Sequence, residues 1–220
     1  MAMCLSMILL ITGGSGSGKS EFAENLAVKQ KSSELLYIAT MMPQDNESLQ
    51  RIARHQEQRR DKGFKTLECY TDLQGIRLEN SPVVLLECMS NLLANEMYSE
   101  DGFVHKNDNA NKEGNANKES NINKESNAYK ESNVNNDGAI KDRDSLIIEE
   151  IINGITQLEQ VCKQVIIVSN EVFSDNGSIY EETNRYIKLL GEINCRIAMK
   201  ADCVYEVVCG IPVCQKGKIV

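Results

Sequence analysis

Three groups of side chains in this 220-residue chain have the types and spacing for phosphate chemistry. The first is Gly13-Gly14-Ser15-Gly16-Ser17-Gly18-Lys19-Ser20. Its glycines let successive backbone N–H groups turn inward around a phosphate, and a helix that follows adds its positive N-terminal end. Lys19 has the reach for β- and γ-phosphates, and the Ser20 hydroxyl can ligate Mg²⁺. The second group is Arg51, His55 and Arg59, four residues apart, which line one side of any helix that carries them. Two guanidiniums beside an imidazole make an anion site and disfavour the imidazolium, so the ring stays neutral and nucleophilic near pH 7. An ordinary solvated basic face fits the same spacing. The third group is a pair of acids at strand ends. Glu87 closes a strand over 83–88, the usual place for a Mg²⁺-linked acid beside a phosphate loop. Glu68 closes another over 65–70, on the sheet edge where open parallel sheets bind ligands. Either acid alone reads equally well as surface charge.

These groups need elements to hold them, and the hydrophobic pattern supplies a series. Apolar, β-rich runs predict strands over 7–12, 35–40, 65–70, 83–88, 165–169 and 203–208, with a short edge strand over 212–215. Helical spacing predicts helices over 20–29, 47–60, 91–97, 145–161 and 181–201. Strand, glycine loop, helix is the context the phosphate motif requires. Alternation of strands with helices predicts an α/β fold, a mainly parallel sheet covered on both faces. In the helix over 47–60, Leu49, Ile52, Ala53 and Gln56 share one side, which is expected to pack on the sheet.

One segment breaks the pattern. From Asn109 a polar hexapeptide repeats, beginning Asn-Ala-Asn-Lys-Glu-Gly and running to Gly138. Each repeat offers at most one large apolar side chain, which cannot bury a solenoid core. The chain therefore reads as one nucleotide-binding domain over 1–220, interrupted by a disordered low-complexity insertion at about 101–143. No catalytic part is expected of that insertion, His105 included.

Composition narrows the field. A net charge of −8 argues against a nucleic-acid surface, which needs a basic footprint. Among eight cysteines there is no Cys-x-x-Cys pair, and Cys69, Cys88, Cys162, Cys203 and Cys209 lie in or beside apolar runs. They read as reduced, buried thiols rather than disulfides or a zinc site. No apolar run approaches the roughly 20 residues of a membrane span. The first residues lack the positive region of a signal peptide. A cytoplasmic protein is expected.

Read together, several stretches carry a resemblance: Met-Ile-Leu-Leu-Ile-Thr-Gly-Gly-Ser-Gly-Ser-Gly-Lys-Ser at 7–20, Leu-Tyr-Ile-Ala-Thr at 36–40, and Arg-Ile-x-x-His-x-x-x-Arg at 51–59. Thr-Leu-Glu-Cys at 66–69, Leu-Leu-Glu-Cys-Met-Ser at 85–90 with Asn95, and Ser-Asn-Glu-Val at 169–172 continue it. In this order they resemble the bifunctional adenosylcobinamide kinase / adenosylcobinamide-phosphate guanylyltransferase family of cobalamin synthesis, from residue 7 to about 210 without the insertion. The resemblance implies a RecA-like phosphate-loop fold and a homotrimer. It also implies two reactions on a corrinoid. ATP or GTP phosphorylates adenosylcobinamide; GTP then loses pyrophosphate to a histidine, and the GMP passes to adenosylcobinamide phosphate. His55 matches that histidine, with Lys19 as its catalytic companion. Nucleotide contacts match Gly13, Gly14, Ser15, Gly16, Ser17, Gly18, Lys19, Ser20, Thr40, Gln56, Glu57, Gln58, Arg59, Glu68 and Glu87, with Ser20 and Glu87 toward Mg²⁺. Departures from the family pattern are Gly16 in place of an arginine, no tryptophan near Phe64, and a different run over 173–180. Two more are Tyr186-Ile187-Lys188 for Phe-Arg-Asp and Asn194-Cys195 for Asn-Gln. Most fall in the C-terminal third, away from the nucleotide motifs. Another phosphate-loop small-molecule kinase, or a non-catalytic nucleotide-binding regulator, would share the loop but not a nucleotide bound covalently to His55.

Overall fold

Strands that are apolar on both sides must be covered on both sides. In β1 (Met7–Thr12), Ile8 and Leu10 face one way, Leu9 and Ile11 the other, and all four are at most 1% exposed. The same double burial recurs in β2 (Leu35–Ala39), β4 (Val83–Glu87) and β5 (Gln164–Val168). The computed structural model describes residues 6–30, 33–98, 136–172 and 178–218. With β3 (Phe64–Glu68), β6 (Cys203–Val208) and β7 (Ile211–Lys216), these strands form one sheet in the order β3-β2-β4-β5-β1-β6-β7. Every pairing is parallel except the terminal β6–β7 hairpin.

One face is covered by α3 (Met89–Tyr98), α4 (Asn136–Val161) and α5 (Glu181–Lys200), whose Leu92, Ile151, Ile155 and Ile193 pack fully buried on Ile8, Leu10, Leu86 and Ile167. The other face is covered by α1 (Lys19–Val28), through Ala23, Leu26 and Ala27. The α/β architecture expected from the alternation is the one observed. Strand ends differ from the predicted ones by at most two residues; β2 and β4 stop one residue short, which leaves Thr40 and Cys88 just past the sheet.

Two expectations are corrected. Residues 136–143, assigned to the insertion, belong to the first turns of α4, and the Arg143 Nη2 donates to the Met97 carbonyl at 3.5 Å. The Ile147, Ile148 and Ile151 face docks this helix on α3 and the sheet, and polar residues before it extend the helix outward. The rest of the insertion, His105 included, lies outside the described residues.

The second correction concerns α2 (Asn46–Arg59). Its Leu49, Ala53 and Gln56 side does not pack on the sheet; Leu49 is 51% exposed. The inward row is Ser48, Ile52, His55 and Arg59, of which Arg59 alone is buried. A helix with so little apolar burial needs other supports. Asp45 provides one at the N-terminus: its Oδ1 accepts from Ser48 N at 2.7 Å, and Ser48 Oγ accepts from Asp45 N at 2.9 Å. Such a cap is worth about 1 kcal/mol.

Candidate active site

The glycine loop leaves the carboxyl end of β1, in the crevice where the sheet order changes direction. Its shape demands glycine at two points. A Cβ on Gly13 would lie 2.5 Å from Ser17 Oγ and 2.6 Å from the Val207 carbonyl. Gly18, the N-cap of α1, has φ +91° and sits against the Gly210 backbone. Gly210 N donates to the Ser17 carbonyl at 2.8 Å, so the turn of the β6–β7 hairpin braces the loop. Lys19 is only 7% exposed, and its Nζ donates to the Gly14 carbonyl at 3.0 Å. Burial lowers its pKa, while the negative charge of Glu87 opposes that shift.

Ser20, in the first turn of α1, donates its hydroxyl to Glu87 Oε1 at 2.5 Å. Glu87 Oε2 is buried with no hydrogen-bond partner among the described residues. Burial pushes the Glu87 carboxyl up to about 7; the Ser20 bond pulls down, Glu24 pushes up, and Lys19 and Arg59 pull down. A buried carboxylate oxygen without a donor, beside a hydroxyl and at a phosphate loop, is a donor set that suits a hard divalent cation. These residues fit Mg²⁺.

Across the crevice, α2 is anchored at its C-terminal end. The Arg59 guanidinium lies 3.8 Å over the ring of Tyr37 on β2, with a long 3.5 Å contact from Nη2 to Thr66 Oγ1 on β3. In the 3-10 turn that follows, Arg60–Lys62, the Lys62 ammonium pairs with Glu24 of α1. One turn back from Arg59 stands His55, half-buried, with Nδ1 enclosed and unpartnered among the described residues. Burial is the main reason its pKa falls below the ordinary histidine value. Arg59 adds to the fall, Glu24 opposes it, and Arg51 and Arg54 add further. The flanking cations act in the expected direction, with burial outweighing them.

Loop and helix face one cleft of about 790 Å³. Ser15, Gly16, Ser17, Gly18, Lys19 and Ser20 line it, together with His55, Gln56, Gln58, Arg59, Glu68 and Glu87. Gly13 and Gly14 are not among the residues that line it. Thr40 is fully buried, and its Oγ1 donates to the Cys88 carbonyl at 2.8 Å and accepts from Cys88 N at 2.7 Å, which ties the end of β2 to the end of β4. Glu57 points to solvent and pairs with Arg60. Although the chain is acidic, Lys19, Arg51, Arg54 and Arg59 concentrate positive charge in this cleft, where it attracts anions.

Sequence reasoning gave no site role to Glu24, Lys62, Tyr37 and Asn170, although the last two lie within the stretches that carry the resemblance. Glu24 had a faint signal: it follows Ser20 by one helical turn, on a helix whose other buried residues, Lys19 apart, are apolar. Asn170 and Tyr37 reach the cleft only because their strand ends meet there. Of the cysteines, Cys69, Cys88, Cys162 and Cys203 are buried as expected, whereas Cys209 is exposed at the hairpin turn. Among the described residues there is no cluster of three or more His, Cys, Asp or Glu side chains able to hold a metal.

Residues 9–214 match the model of the family described as cobinamide kinase / cobinamide phosphate guanyltransferase. The chain is similar to the "Bifunctional adenosylcobalamin biosynthesis protein CobU" of Salmonella typhimurium, 29% identical over 212 residues, 94% of this chain and 98% of that protein. It is 29% identical over 217 residues to the Escherichia coli protein of the same name, with the same coverage of each chain. Among solved structures, the flagellar accessory protein FlaH from Methanocaldococcus jannaschii aligns over 96% of this chain and 79% of its own, with 11% identity and a TM-score of 0.45.

Proposed function

This chain belongs to the cobinamide kinase / cobinamide phosphate guanyltransferase family of cobalamin biosynthesis, and we propose that this cleft serves both reactions, with His55 as the nucleophile of the second. The observation that carries this reading is that His55 and the glycine loop line the same cleft. In the kinase step, the hydroxyl oxygen of adenosylcobinamide bonds to the γ-phosphorus of ATP or GTP. The bond from that phosphorus to the bridging oxygen breaks, the nucleoside diphosphate departs with the electron pair, and the hydroxyl proton passes to solvent. In the transfer step, the neutral His55 ring attacks the α-phosphorus of GTP and pyrophosphate leaves. A phosphate oxygen of adenosylcobinamide phosphate then displaces the imidazole and takes the GMP. Splitting the transfer through a covalent intermediate replaces one difficult displacement with two easier ones.

Each residue's part follows from its position. The loop N–H groups and the α1 N-terminus cradle the β- and γ-phosphates. Lys19 exchanges its bond to the Gly14 carbonyl for a phosphate oxygen. Arg51 and Arg59 offset charge at the phosphorus attacked by His55. Gln56, Gln58 and Glu68 line the walls. Ser20 and Glu87 would hold Mg²⁺, which supplies Lewis-acid stabilisation of phosphoryl oxygens. No helix of the described residues is long and apolar enough to cross a membrane. A cytoplasmic site of action and a homotrimeric assembly complete the proposal, both on the strength of the resemblance.

The test is incubation with α-labelled GTP and Mg²⁺. The native protein should acquire an acid-labile, alkali-stable label and release pyrophosphate, and His55→Ala should acquire none. Label retained by His55→Ala would remove His55 from the mechanism. A native protein that binds GTP yet stays unlabelled would remove the covalent step altogether.

A further inference from the structure

The mechanism above gives no task to the end of β5, yet few parts of the cleft are held so firmly. β5 lies between β1, which leads into the glycine loop, and β4, which ends at Glu87. Just beyond it, Ser169 N donates to the Ile11 carbonyl at 2.9 Å and Glu171 N donates to the Gly13 carbonyl at 3.0 Å. Asn170, between them, is thereby locked to the start of the loop. Its side chain is fixed as well: Nδ2 donates to Ser90 Oγ at 2.8 Å, and that hydroxyl, 3% exposed on α3, lies 2.9 Å from Cys88 Sγ.

An asparagine amide has two N–H donors and a carbonyl acceptor. Ser90 uses one donor, and the side chain lines the cleft together with Lys19, Ser20 and Glu87. That is the side of the cleft where the terminal phosphate lies, because Lys19 addresses the β- and γ-phosphates. His55, on α2, approaches from the other wall. A donor already immobilised by its surroundings needs little reorganisation when charge builds on a phosphoryl group.

We propose that Asn170 donates its second amide hydrogen to an oxygen of the terminal phosphate, making it the residue that distinguishes a nucleoside triphosphate from a diphosphate. The inference rests on the reading of the cleft as a triphosphate site. In the kinase step Asn170 contacts the phosphoryl group that moves; after transfer, the diphosphate product lacks this bond and leaves more readily. Ser90 is a positioning residue, acting through Asn170.

The test compares equilibrium affinities for β,γ-imido GTP and for GDP, with Mg²⁺, in a His55→Ala background so that no guanylyl group accumulates on the protein. Adding Asn170→Ala should lower the triphosphate-to-diphosphate affinity ratio about tenfold, as expected for one hydrogen bond to a charged acceptor. Asn170→Asp, nearly isosteric, should lower it further by placing a negative charge against the phosphate, and it serves if the alanine variant fails to fold. An unchanged ratio in either folded variant would overturn the inference. So would an equal loss of both affinities, which marks a purely structural residue. If the parent binds neither nucleotide, the triphosphate reading itself fails and the inference falls with it.

Discussion

Removing the Lys62 ammonium should damage this protein more than removing its partner carboxylate, although the two form one ion pair. Glu24 is 5% exposed at its side chain and Lys62 is 25% exposed. If Glu24 is replaced by alanine, the lysine is near enough to the surface to swing its ammonium into water. If Lys62 is replaced by methionine, a buried carboxylate on α1 loses its cation and cannot reach solvent. Breaking a buried pair by deleting one partner costs about 3–5 kcal/mol. The partial exposure of Lys62 places Lys62→Met just below that range, about 2–3 kcal/mol, and Glu24→Ala nearer about 1 kcal/mol. At roughly 2–4 °C per kcal/mol for a chain of this size, Lys62→Met should lower the Tm by about 5–10 °C. The double variant Glu24→Leu/Lys62→Met should be more stable than Lys62→Met alone, because no buried charge is left behind. Thermal unfolding of the four proteins provides the measurement. A Glu24→Ala loss equal to or larger than that of Lys62→Met would refute the burial argument. Because the pair anchors the turn after α2, the labelling rate of His55 in Lys62→Met should fall along with stability.

Three further outcomes are expected. Since burial and Arg59 depress the His55 pKa, self-guanylylation should keep its rate down to a pH below the usual 6.5 of histidine and fall only under that. Arg51→Gln should shift this acid limb upward, and a limb that moves down or stays fixed would contradict the electrostatic account. Glu87→Gln should abolish most of the gain in nucleotide affinity that Mg²⁺ confers, measured by titration with and without chelator; an unaltered gain would place the ion elsewhere. Gly18→Ala, at φ +91° and against Gly210, should lose about 1–2 kcal/mol of stability on thermal unfolding and more than that in nucleotide affinity. Full affinity would show that the loop can rearrange.

The sequence by itself determined the local parts. Doubly apolar runs such as Ile8–Ile11 can only be buried strands, and the glycine spacing before Lys19-Ser20 can only be satisfied by a tight loop that opens a helix, so the sheet and the phosphate cradle were legible from neighbours along the chain. The Arg51, His55 and Arg59 row was legible for the same reason, since helical spacing is local. What the sequence left open was which side of α2 turned inward. The apolar Leu49 and Ala53 suggested one face, but the inward face was decided by Arg59 stacking on Tyr37 and Lys62 meeting Glu24, contacts between residues distant in the chain. Tertiary structure alone likewise decided that His55 shares a cleft with the glycine loop, that Thr40 ties two strand ends together, and that Asn170 is pinned beside the loop. The physical reason is the same throughout. Periodicity and turn chemistry act over a few residues and are written in order, whereas a parallel sheet brings its strand ends together through long crossovers, and no short window records which side chains will meet there.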